Sequence, residues 1–165
     1  MIQLRPARPE DRFLIRRWLQ GPEVQAWRGN AASAEAEITL ALDSAAALPR
    51  IIERGGEPIG YAHAVEIGQW SEPPPAGVPA GTWETDYFLS AAAGDPKHGE
   101  AVLAMLTDEV FATTLALACS ATVSIRNEAA ARCFERAGFQ WVRLVQEPLL
   151  GPCWLMLKER PPPAR

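Results

Sequence analysis

One stretch limits the possible folds more than any other. Residues 59–70 read IGYAHAVEIGQW, a strand candidate with no polar face. Alternation places Ile59, Tyr61, Val65 and Ile67 on one side, and Gly60, Ala62 and Ala64 on the other. A half-exposed strand alternates apolar with polar. A strand apolar on both sides is central and covered on both sides. Helices must therefore pack on each face of a sheet, which makes the chain an α/β (α+β) protein. RIIER at 50–54 and the turn GGEP at 55–58 precede it, so the strand enters as the second arm of a hairpin.

The rest of the chain supplies those layers. Ile2 and Leu4 mark a short first strand. Pro9, Glu10 and Asp11 open a helix whose apolar stripe is Phe13, Leu14, Trp18 and Leu19. A second short helix is expected over 23–28, and a third over about 33–47 with Ser33 as its N-cap. After a proline-rich loop, TWETDYFLS at 82–90 is a strand and AAAGDPKHG at 91–99 a loop. Val102, Leu103, Leu106, Val110 and Phe111 have helical spacing, and LACSATVS at 117–124 is a strand. A short helix and two more strands follow. The expectation is one domain over 1–160 and a disordered tail over 161–165, with about seven mostly antiparallel strands in a mixed, twisted sheet.

Composition excludes several classes. With 48% hydrophobic and 22% charged residues the chain is an ordinary globular one. A net charge of −4 argues against nucleic acid as a partner and is compatible with a cationic small molecule. No apolar run approaches the roughly 18 residues of a membrane span, so no membrane partner is expected. The N-terminus shows no signal-peptide pattern. Cys119, Cys133 and Cys153 have neither a C-x-x-C pair nor zinc spacing, so they read as buried thiols in a reducing cytoplasm, and no metal is expected. A monomer and a homodimer are equally compatible with the sequence.

The helix in NEAAARCFERAGF, 127–139, has sharp boundaries. Asn127 is a good N-cap, Glu128 suits the positive end of the dipole, and Gly138 suits a left-handed C′ position. Ala129, Ala130 and Ala131 leave its first turn bare. That bareness serves close backbone packing, a ligand lying against the helix, or simply helix propensity.

The chain resembles the GNAT superfamily of N-acetyltransferases, and within it the bacterial aminoglycoside 6′-N-acetyltransferases. WLQGPEVQAWRG, GGEPIGYAHA, ETDYFLS and NEAAARCFERAGF carry the likeness, the last being similar to N-x-x-A-x-R-x-Y-E-x-x-G-F. The resemblance implies acetyl transfer from acetyl-CoA to a primary amine by direct attack in a ternary complex. It also implies a splayed fourth and fifth strand with the pantetheine arm between them, taken up by strand addition. Tyr87, Phe88 and Leu89 then offer backbone partners, and Asn127, Ala130 and Phe134 form the helix surface beside the arm. Gly99, with Lys97, His98 and Glu100, matches the phosphate loop in part, although Lys97 stands where a glycine is usual and Pro96 lacks an N–H. Asp86 matches the aspartate that binds or deprotonates the amine. Glu84 and Glu66 would add negative charge, His63 a polar substrate contact, and Trp27 a pocket wall. Phe134 replaces the tyrosine that protonates the leaving thiolate. A catalytically reduced protein that binds a ligand or partner is therefore the alternative.

Overall fold

The computed structural model describes residues 1–25, 31–70 and 76–164. Seven strands, β1 (Ile2–Pro6), β2 (Ala47–Arg54), β3 (Glu57–Glu66), β4 (Thr82–Leu89), β5 (Ala118–Ser124), β6 (Gln140–Glu147) and β7 (Gly151–Glu159), form one sheet ordered β1-β2-β3-β4-β5-β7-β6. β4 and β5 are parallel, and the other neighbours are antiparallel. The sheet is thus mixed and mostly antiparallel, with β3 and β4 at its middle.

Helices cover both faces, as the two-sided apolar strand requires. On one face α1 (Arg12–Leu19), α2 (Pro22–Gln25) and α3 (Ala31–Leu42) bury Ile15, Leu19, Val24 and Ile38 against Ile51, Tyr61 and Phe88. Trp18 meets Phe88 edge to face at 6.0 Å, a core role. On the other face α5 (His98–Thr113) and α6 (Glu128–Arg136) bury Val102, Leu103, Leu106, Val110 and Phe134 against Ile52, Ala62 and Ala64. A single-turn helix, α4 (Ile67–Trp70), follows β3. None of the described helices is long and apolar enough to cross a membrane.

Three expected boundaries shift. β3 ends at Glu66, and Ile67–Trp70 turn into α4 rather than continuing the strand. α3 begins before Ser33, which is therefore not its cap, and it ends at Leu42 because the chain turns there. Asp43 and Ser44 donate to Leu40 and Ala41 carbonyls, and the Ser44 hydroxyl accepts from the Ala46 N–H at 3.1 Å. Ile59 changes face: Gly60 pairs with Ile52 while Pro58 pairs with Glu53, so the register slips and Ile59 joins the α5 cluster instead of Tyr61's. Arg160, the last residue of the expected domain, is pinned by the carbonyls of Phe111, Thr114 and Ala116 at 2.7, 2.8 and 2.7 Å.

The ends of α6 match their sequence signals. Asn127 Oδ1 accepts from the Ala130 N–H at 3.1 Å. Gly138 takes φ +102°, its N–H donates to Glu135 O, and Phe139 N–H donates to Phe134 O, both at 3.0 Å, which completes a Schellman motif. Asn127→Ala is expected to cost about 1 kcal/mol of stability, measurable by urea unfolding with an unchanged m-value.

Candidate active site between the parted strands

β4 and β5 pair only at Thr82–Ala118, Trp83–Cys119 and Glu84–Ser120. Beyond that point β4 stays with β3 as far as Leu89, and β5 stays with β7 as far as Ser124. Each strand follows its outer partner, so the two diverge. The Thr85 hydroxyl donates to Ser120 O at 3.0 Å and is the last tie before the gap. Sequence reasoning did not single out Thr85. Its burial is a property of the fold, and no local signal in the sequence marks it.

The gap is a cleft of about 370 Å³. Its walls include Asp86 to Leu89 from β4, Thr122 to Ser124 from β5, and Asn127, Ala129, Ala130, Cys133 and Phe134 around α6. The expected Tyr87, Phe88, Leu89, Asn127, Ala130 and Phe134 all meet there. Ala129 and Ala130 leave room along the helix, whereas Ala131 is core. Phe134 is 3% exposed, with its ring 5.8 Å from Tyr87 and 5.1 Å from Phe139. It supplies wall and packing but has no proton to give. The Tyr87 phenol packs inward against Gly99, and burial, with Cys133 beside it, holds it protonated far above the usual tyrosine range.

Asp86 stands on the cleft wall, half-buried, where the strands have just parted. Its Oδ1 accepts from the Tyr87 backbone N–H at 2.9 Å. Glu84 shares its face, since Glu84, Asp86 and Phe88 oppose Val65, His63 and Tyr61 in register. The neighbouring Tyr61 phenol is raised well above its ordinary range, first by burial and then by the charges of Glu37 and Asp86. Glu37, on α3, belongs to the same acidic region, its Oε1 3.6 Å from His63 Nε2, and sequence reasoning did not place it there because that proximity depends on how α3 packs over the sheet.

Three expectations need correction. His63 is not open to a substrate: it is fully buried, its Nδ1 lies 2.9 Å from the Tyr61 hydroxyl, and its Nε2 lies 3.6 Å from Glu37 Oε1. It supports the floor behind Asp86. Glu66 opposes Trp83, so the pleat turns it to the α5 side, away from Asp86. Lys97, His98, Gly99 and Glu100 do not line the cleft, whose wall stops at Pro96. Trp27 lies outside the described residues. Trp83 is buried in the α5-side core, and Trp70 packs on Ala41, Ala47 and Val65.

The loop before α5 differs from an open anion cradle. Lys97 N–H donates to Asp95 Oδ1 at 2.9 Å. His98, Gly99 and Glu100 N–H groups donate to Asp95, Pro96 and Lys97 carbonyls, each at 3.2 Å. The cleft fits a pantetheine arm, while these donors do not fit a diphosphate in the way the resemblance implies.

A family model described as an acetyltransferase (GNAT) domain matches residues 8–146. No curated protein matches the chain. Aminoglycoside acetyltransferase AAC(6')-Ib in complex with coenzyme A and kanamycin shares the fold with a TM-score of 0.79 and 24% identity, over 97% of this chain and 95% of that one. Spermidine N-acetyltransferase from Vibrio cholerae, in complex with CoA and spermine, shares it with a TM-score of 0.75 and 14% identity, over 96% and 95%. An uncharacterized protein from Bacillus halodurans does so with a TM-score of 0.80 and 15% identity, over 96% and 83%. The family match spans most of the chain and coincides with a sheet parted between its parallel strands; the chain belongs to the GNAT acetyltransferase domain family, whose members are acetyl-CoA-dependent N-acetyltransferases.

Proposed function

We propose that the protein transfers acetyl from acetyl-CoA to the primary amine of a small, multiply cationic acceptor, by direct attack in a ternary complex. The observation that carries this is Asp86, a carboxylate on the wall of the strand gap at the point where β4 leaves β5. A pantetheine arm in the gap adds as an extra strand between β4 and β5, which brings its thioester to the parting point. Asp86 anchors the incoming ammonium and takes its proton. The neutral amine attacks the thioester carbonyl, the C–N bond forms, the nitrogen gives up its second proton to solvent, the C–S bond breaks, and the thiolate leaves to be protonated by solvent. Asp86 releases its proton to water. The acidic neighbourhood of Asp86, Glu84 and Glu37 favours a polycation, in keeping with fold relatives bound to kanamycin and to spermine.

Phe134 favours a second reading, a binding protein with little turnover, because the phenol that would protonate the thiolate is missing. One assay separates the two. Thiol release from acetyl-CoA, measured across aminoglycosides, polyamines and neutral amines, is expected to rise with at least one polycation and not with neutral amines. CoA binding without thiol release from any amine would leave only the second reading.

A further inference from the structure

The loop that starts α5 has already used the groups a diphosphate would need. Every backbone N–H from Asp95 to Glu100 has an acceptor within the protein: Asp95 donates to Ala93 O at 2.9 Å, and Lys97 to Glu100 are engaged as described above. Pro96 has none to give. The acceptor for Lys97 is a carboxylate, so a negative charge already stands at the helix start, where the dipole would otherwise welcome a phosphate. Glu100 adds a second carboxylate in the first turn.

The basic groups of the loop do not offset this. Arg54, reaching over from β2, donates to Ala93 O at 2.7 Å and to Ala92 O at 3.1 Å, and its Nη1 lies 3.3 Å from His98 Nε2. Its guanidinium holds the loop together. Lys97 is exposed, where an ammonium on a flexible stem is screened and adds little. Gly99, whose bareness in a phosphate loop would admit an oxygen, is buried and faces inward. A Cβ built on it would lie 2.3 Å from the Tyr87 hydroxyl, so the glycine makes room for that phenol.

The strand gap contrasts with the loop. Past Glu84, β4 and β5 no longer pair, and the bare first turn of α6 lies alongside them. We infer that this enzyme grips its acyl donor by the pantetheine arm alone, so that pantetheine thioesters lacking the nucleotide serve as donors about as well as acetyl-CoA. The chemistry is that of the proposed acetyl transfer, on which this inference rests. The acceptor amine forms a C–N bond with the acyl carbon, the C–S bond breaks, and pantetheine thiol replaces CoA thiol as product.

Calorimetric titration with CoA, pantetheine and adenosine 3′,5′-bisphosphate tests it without turnover. The dissociation constants of CoA and pantetheine are expected to agree within about tenfold, with no measurable heat from the bisphosphate. CoA binding more than about tenfold tighter than pantetheine overturns the inference and leaves acetyl transfer standing. Binding of neither thiol overturns both. Asp95→Asn keeps an oxygen to cap the Lys97 N–H but removes the charge. It is expected to shift the preference toward CoA by about threefold or more at low salt. An unchanged preference counts against the carboxylate as the group that excludes the diphosphate.

Discussion

Asp86→Asn is expected to lower kcat for amine acetylation by about 10²–10⁴-fold, while the melting temperature stays near that of the wild type. Asparagine has nearly the volume of aspartate, and its amide oxygen can still accept from the Tyr87 N–H that Asp86 Oδ1 now holds at 2.9 Å. The local backbone therefore has no reason to move. The substitution removes the negative charge that pairs with an ammonium and the basic oxygen that takes its proton. Both functions act on the amine, so KM for the acceptor should rise as kcat falls, whereas binding of CoA alone should be unchanged. Glu84 keeps a carboxylate on the same face two residues away, but where β4 and β5 are still paired. If Asp86→Asn turned over at the wild-type rate, Asp86 would not be the amine's base or anchor. The parallel variant Glu84→Gln would then be the one to measure.

Local signals in the sequence were sufficient for much of this architecture. The hairpin into β3, the two-sided burial of that strand and both caps of α6 each depend on a few neighbouring residues. The two-fold alternation also put Glu84 and Asp86 on one face, because β4 has no irregularity between them. The same rule misplaced Ile59, since a slipped register against β2 inverts the alternation and leaves no mark in composition. Glu66 failed for a related reason. Its acidic character suggested the acceptor side, but its face follows from pairing with Trp83, a relation between strands distant in sequence. His63 needed knowledge of α3, whose Glu37 packs over it. The loop at 95–100 was the least legible. Motif matching counted Gly99 as half a phosphate site, whereas where its backbone donors point, and what its missing side chain makes room for, exist only in three dimensions.

Gly60→Ala is expected to cost about 3 kcal/mol, the upper end of the overpacking range. No unusual backbone angle is involved, because Gly60 is absent from the positive-φ glycines. The obstacle is space. A Cβ at this position would lie 2.3 Å from Phe88 O, 3.1 Å from Leu89 Cα and 3.3 Å from Ile52 Cδ1. A flexible side chain could rotate away from such a contact, but the first two atoms belong to the backbone of β4. The strand itself must shift, and Phe88 and Leu89 are part of the cleft wall. The variant should thus lose stability and donor affinity together, with a melting temperature lower by roughly 6–12 °C for a chain of this size. Gly68→Ala is the matched control: it lies in α4, nothing approaches within 4 Å of its would-be Cβ, and no loss is expected. If Gly60→Ala melted with the wild type and bound pantetheine equally well, β4 would have freedom to move that the close contact at Gly60 denies, and the cleft would not be the preformed slot that direct attack in a ternary complex requires.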